Sequence, residues 1–226
     1  MYRDLTKGNI TKTLLVFSLP MIAGNLLQQF YNIADTLIVG RYLGANALAA
    51  VGAAYALMSF LTSILLGLCM GSGAVFSLRY GEKNEKVLKK SIFVSFVMIA
   101  AVALAVNGVV FLFIDPIMGL LCVPAEIYSM MREYLWMIFW GIIAVFLYNF
   151  FASLLRSVGN SFVPLLFLGI AAVLNVVLDL VFVLVLHWGV AGAAGATVIA
   201  QYVSGIGIAV YTYVKMPEFR VAGSDM

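Results

Sequence analysis

Apolar residues fall in six long runs, separated by short polar connections. A membrane-spanning helix needs about 20 mostly apolar residues. On that basis spans are predicted at roughly 13–39, 48–78, 91–114, 128–153, 163–186 and 191–214. In lipid each backbone donor and acceptor must be satisfied internally, so runs of this length are read as helices. The sequence has no sustained apolar–polar alternation, which excludes a transmembrane β-barrel. The first run follows Arg3, Lys7 and Lys12, as a signal peptide would. It exceeds the about 7–15 apolar residues of a signal peptide and contains Asn25, Gln28, Gln29, Asn32 and Asp35, so it is read as a retained helix. The expected architecture is an all-α membrane protein. A six-transmembrane-helix bundle at 13–214 lies between a cytoplasmic segment 1–12 and a cytoplasmic tail 215–226.

Composition agrees. Of 226 residues, 64% are hydrophobic and 10% charged, against about 45–50% and about 25% in a soluble domain. So few charges cannot cover a soluble globule. A soluble enzyme, a disordered tail and a nucleic-acid binder are excluded as readings. The net charge of +3 becomes informative only once the charges are placed. With the N-terminus inside, the inner segments are 1–12, 79–90, 154–162 and 215–226. They hold every Lys and Arg except Arg41 and Arg132, so both termini are expected in the cytoplasm and the chain in the inner (cytoplasmic) cell membrane. Cys69 and Cys122 offer neither a metal-ligand spacing nor a disulfide framework, and no enzymatic site is expected.

The acidic residues are more telling. Asp35 and Asp179 alone sit within apolar runs. An Asp at a helix centre costs about 2.5–3.5 kcal/mol on insertion scales, so it normally faces a cavity and marks an ion or substrate path. In span one Asn25, Gln28, Asn32 and Asp35 share one helical face. Asn175 and Asp179 do so in span five, and Thr197, Gln201 and Ser204 in span six. Span four contributes Tyr134 near its outer end, and Tyr148, Asn149 and Ser153 nearer its inner end. These stripes can turn toward one another and enclose a wet pocket, although Asn, Gln, Ser and Thr also serve simply as interhelical hydrogen-bonding groups, worth about 0.6 kcal/mol on average. Spans one and five hold no Lys or Arg to neutralise the two aspartates. Each must therefore carry a proton, share a cation or sit in water. Carboxylate, amide and hydroxyl oxygens are also hard ligands suited to an alkali cation, so the same side chains serve proton or sodium coupling.

Glycines at 40 and 44, 67 and 71, and 189, 192 and 195 are expected to let helices approach closely. Pro20 removes one backbone hydrogen bond inside span one and is the expected bend.

The stretch PMIAGNLLQQFYNIADTLIVGRYLGANALAAVG (20–52) resembles the first-helix signature of multidrug and toxic-compound extrusion (MATE) transporters, closest to the prokaryotic DinF-like branch. YNFFASLLRSVGNSFVPL (148–165) is similar to that family's fourth-helix end and following loop, and NVVLDLVFVLVLHWGVAGAAGATVIAQ (175–201) to its fifth and sixth helices. GLCMGSGAVFSLRYGEKN (67–84) is a looser match to the end of the second. The resemblance implies secondary active efflux, in which a proton or sodium gradient drives export of amphipathic, often cationic compounds. It implies that Asp35, Asn175, Asp179 and Thr197 form the coupling site and would hold any Na+. Tyr134, Gln28, Asn32, Asn149 and Gln201 would line the cavity, and Pro20 would bend the first helix. No cofactor is implied beyond the coupling ion, and no nucleic-acid partner.

The family's fold has twelve helices in two lobes, and this chain supplies only the N-terminal six. The expectation is a piece of a longer transporter, or else a half that pairs with a missing C-terminal lobe or a second copy. Two alternatives remain: a flippase for lipid-linked substrates from the same wider superfamily, and a lobe inactive on its own. The flippase would favour cationic residues in the cavity, which spans one and five lack. An intramembrane aspartyl protease also needs two Asp, but the contexts Ile33-Ala34-Asp35 and Val177-Leu178-Asp179 match neither of its motifs.

Overall fold

The structure, a computed structural model, describes residues 10–219. Most of the predicted segments 1–12 and 215–226, with Arg3, Lys7 and Arg220, lies outside the described residues. Helix α1 spans Ile10–Tyr42, α2 Ala45–Gly81, α3 Glu85–Leu120 and α4 Ala125–Ile138. A 3-10 turn at Phe139–Gly141 leads into α5 (Ile142–Ser157), and α6 (Phe162–Asp179) runs on into a π-helical segment at Leu180–Val185. Helix α7 is Gly189–Lys215. Counting α4 with α5, and α6 with its π-helical extension, six helices are long and apolar enough to cross a membrane. Among the described residues there is no strand.

The helices run past the predicted apolar spans at most ends. The span read as 91–114 lies within a helix covering Glu85–Leu120, because hydropathy marks only the part that must shed water. Backbone hydrogen bonding continues into the polar interface, carrying Lys86, Lys89 and Lys90 on helical backbone. The connections are tight. Between α1 and α2 the chain turns at Gly44 with φ 90°, a conformation that favours a residue without Cβ. The Asn84 carboxamide oxygen accepts from the Val87 N–H at 3.2 Å and caps α3.

Helices α5 and α7 form the centre of the bundle. Helix α5 packs on α2, α3 and α7, and α7 also packs on α4 and α6. Helix α1 is peripheral, held chiefly by α6. Between α2, α3 and α5 lies an aromatic cluster in which Phe76 meets Phe150 edge-on at 5.8 Å and Phe96 meets Phe146 at 5.2 Å. Such pairs add about 0.5–1.5 kcal/mol each beyond the area they bury.

Close helix approach uses different glycines from most of those expected. A Cβ at Gly67 or Gly71 would meet nothing within 4 Å, and both residues are exposed. Gly44 and Gly189 are likewise uncrowded; they serve instead as left-handed positions at helix starts. Of the expected set, Gly40 is tightly packed against Leu48 of α2, and Gly192 against Phe182 and Trp188. The closest interhelical approach to backbone is at Gly205, where a Cβ would stand 2.8 Å from the Ala144 carbonyl oxygen of α5.

Helix α1 runs through Pro20 as one element. One turn before it, the Phe17 carbonyl accepts from the Ser161 hydroxyl at 3.0 Å. A break from helical geometry lies in α3, at Phe113 (φ −118°, ψ 21°), three residues before Pro116. Proline there removes an N–H and crowds the preceding turn. The fourth span is interrupted by the turn at 139–141, and side chains take up carbonyls there. Asn107 of α3 donates to the Phe139 carbonyl at 2.9 Å, and Tyr202 of α7 donates to that of Trp140 at 2.9 Å.

Candidate functional site

The bundle brings together the polar stripes of three helices. Asn175 and Asp179 lie one turn apart on the face of α6 that is turned inward, and both are buried. The Asn175 side-chain amide donates to the Thr197 hydroxyl of α7 at 3.0 Å. Asp35 of α1, half-buried, faces Asp179 closely enough that the two carboxylates interact electrostatically. The buried Tyr134 hydroxyl lies in the field of both. The four residues expected to form the coupling site are thus neighbours through the α1–α6 and α6–α7 packing.

Its hydrogen bonding is lopsided. Asp35 Oδ1, both Asp179 oxygens and Asn175 Oδ1 are buried and have no donor. Among the described residues, neither aspartate is in an ion pair. A buried acceptor without a donor costs about 1–3 kcal/mol, and more when charged. The donor set, oxygen only and rich in carboxylate, fits either a proton on the pair or a hard monovalent cation.

Beside this cluster lies a cavity of about 90 Å³. Gln28 and Tyr31 of α1, Tyr148 and Asn149 of α5, and Gln201 and Ser204 of α7 contribute its polar wall. Asn175 and Thr197 belong to both cavity and cluster, so the two are contiguous. Of the five residues expected to line a cavity, Gln28, Asn149 and Gln201 do so. Tyr134 does not; it is packed beside the carboxylates in the N-terminal half of span four, before the turn at 139–141. Asn32 is also absent from the lining and stays half-buried on α1. The polar stripe of α1 is incompletely covered because that helix leans mainly on α6, leaving Asn25 and Gln28 exposed.

Tyr31 was not singled out from the sequence. It lines the cavity beside Gln28 and lies in the field of Asp35, joining the two halves of the site. Its position three residues after Gln28 and four before Asp35, on the same helical face, was the available signal.

The family model described as MatE matches residues 20–181, from Pro20 through Asp179 and all but the last of the spans. The chain belongs to the MatE family. Among curated MatE relatives, it is 33% identical over 198 residues to the probable multidrug resistance protein YpnP of Bacillus subtilis (strain 168), covering 88% of this chain and 44% of that protein. To DNA damage-inducible protein F of Escherichia coli (strain K12) it is 31% identical over 201 residues, covering 84% of this chain and 42% of that one. A crystal structure of MATE in the bent conformation superposes with a TM-score of 0.89 at 25% identity, over 97% of this chain and 49% of the other. The chain spans about half the length of the curated relatives it matches. It is therefore an N-terminal MatE lobe, of a family of multidrug efflux transporters.

Proposed function

We propose that this lobe carries the coupling site of a cation-driven antiporter that exports amphipathic, often cationic compounds. The observation that carries the reading is the buried Asp179, whose two oxygens have no donor and no cationic partner, facing Asp35 across α1 and α6. A static pair of this kind would be costly to fold. It becomes useful if a proton or Na+ occupies it in one state of a cycle and leaves in another. The residues present fit either ion: two carboxylates, with the Asn175 carboxamide oxygen and the Thr197 hydroxyl beside them. In this reading the contiguous cavity receives the polar end of the exported compound. Ion and compound then compete through the shared Asn175 and Thr197, and that competition is the basis of antiport.

Both termini are assigned to the cytoplasm of an inner-membrane protein, on the asymmetry of Lys and Arg between the connections. Alternating access needs a second lobe for this one to move against, supplied by the same polypeptide or by another chain. The membrane lipid and that lobe are the partners assigned.

The test is export of a cationic dye from cells or vesicles, measured with separate proton and sodium gradients. Asp35→Asn and Asp179→Asn are each expected to abolish gradient-driven export while the protein still inserts. Undiminished export by both well-expressed variants overturns the proposal.

A further inference from the structure

Ser129, Arg132, Glu133, Trp136 and Met137 recur every three to four residues and form one exposed stripe of α4. With Ala191 near the start of α7 they line a groove of about 380 Å³, separate from the cavity beside Asn175. Small-ligand sites measure about 300–1,000 Å³. Arg132 is held in place by Asp115 of α3: its Nε donates to Oδ1 at 2.8 Å and its Nη2 to Oδ2 at 3.3 Å. The Tyr128 hydroxyl donates to the same Oδ1 at 3.0 Å. That fork leaves the Arg132 Nη1 without an acceptor among the described residues. Glu133 has neither an ion pair nor a hydrogen bond among the described residues. Phe111 meets Trp136 edge-on at 4.7 Å and lies 5.1 Å from Trp140, so two half-exposed indoles are fixed on this flank.

We propose that this groove binds the headgroup of a zwitterionic phospholipid whose amine carries hydrogens, of the phosphatidylethanolamine type. Position selects a lipid over a soluble ligand. From Ser129 to Met137 the helix rises about 12 Å, and the polar layer of a bilayer is about 5–8 Å thick on each side. The stripe therefore runs from headgroup depth at Ser129 into hydrocarbon at Met137, and tryptophans gather at that boundary. Trp140 extends the apolar surface one turn further, where an acyl chain lies. Charge selects the headgroup. Asp115, Arg132 and Glu133 set two carboxylates against one guanidinium, and the excess negative charge repels a purely anionic headgroup. A phosphate takes the free Nη1 of Arg132, and the ammonium of the same headgroup pairs with Glu133. Trimethylammonium carries the same charge but has no N–H to give that carboxylate. With the orientation proposed above, the leaflet concerned is the outer one.

The experiment titrates the purified full chain in detergent with dioleoyl phosphatidylethanolamine, phosphatidylcholine or phosphatidylglycerol, and counts bound lipid by native mass spectrometry. The ethanolamine lipid is expected to bind about fivefold tighter than either of the others, the equivalent of about 1 kcal/mol for one ion pair at an exposed site. Glu133→Gln is expected to abolish its advantage over the choline lipid. Glu126→Gln removes the same charge from the first turn of α4, outside the groove, and is expected to leave that advantage intact. Equal or tighter binding of the choline or the glycerol lipid overturns the proposal. So does an ethanolamine preference that survives Glu133→Gln, or one lost equally in Glu126→Gln, because the lipid then sits elsewhere or answers only to net charge. Retention of none of the three lipids overturns it as well. The wild-type ranking stands as a test even if a variant folds poorly.

Discussion

Gly205 is where helix packing and the cavity meet. A Cβ there would lie 2.8 Å from the Ala144 carbonyl oxygen and 3.4 Å from Leu147 Cβ. Carbon and carbonyl oxygen approach comfortably to no less than about 3.3 Å, so a methyl group requires α5 and α7 to part by about 0.5 Å. The obstacle is backbone in the middle of a packed pair and cannot swing away as a side-chain tip can. Overpacking of this kind costs about 1–3 kcal/mol. Gly71→Ala is the matched control, because a Cβ there meets nothing within 4 Å. In that exposed helical position alanine is expected to be neutral or stabilising by about 0.5–1 kcal/mol. The assay is thermal unfolding of the purified chain, followed by loss of helical circular dichroism. At about 2–4 °C per kcal/mol for a chain of this length, Gly205→Ala should melt several degrees below wild type and Gly71→Ala at or above it. Because Ala144 and Ser204 also line the cavity, Gly205→Ala should weaken ligand binding as well. A Gly205→Ala protein as stable as Gly71→Ala would refute the assignment of the α5–α7 contact as the tight seam.

The turn at 139–141 should depend on its two clamps. Asn107→Ala leaves the Phe139 carbonyl without its buried donor and is expected to cost about 1–3 kcal/mol by denaturant unfolding. Tyr202→Phe removes the bond to Trp140 at a more accessible place, so its loss should be smaller, about 0.5–1.5 kcal/mol; equal effects would contradict the difference in burial. Orientation can be read from the native cysteines. Cys122 is exposed in the connection after α3 and Cys69 is buried in α2, so a membrane-impermeant maleimide added to intact cells should label Cys122. Labelling that requires permeabilised cells would reverse the assigned orientation.

The sequence carried much of the site because burial of charge in lipid is so costly. Asp35 and Asp179 stood out by their position within apolar runs alone, and Asn175 and Thr197 shared their helical faces with other polar residues. The resemblance then named the same four. Periodicity did less well at deciding which face was covered. Asn25 and Gln28 belong to the same stripe as Asp35, yet both remain exposed, because α1 rests mainly on α6. Glycine spacing misled for the same reason. Gly67 and Gly71 have the repeat of a packing face, but no helix of this lobe lies against it, whereas Gly205 has an intimate neighbour.

By itself the sequence determined the number of crossings, their helical character and the two carboxylates that need a counter-charge, since each follows from the price of taking polar groups into hydrocarbon. Only the tertiary structure decided what those groups face. Tyr134 went to the aspartates and away from the cavity, and Tyr31 joined the two. Asn175 kept its amide on Thr197 while its oxygen and both Asp179 oxygens stayed without a donor. Burial cost depends on a residue's own chemistry and its place along one helix. Hydrogen-bond satisfaction depends on which atoms of other helices arrive beside it, and the linear pattern does not contain that information.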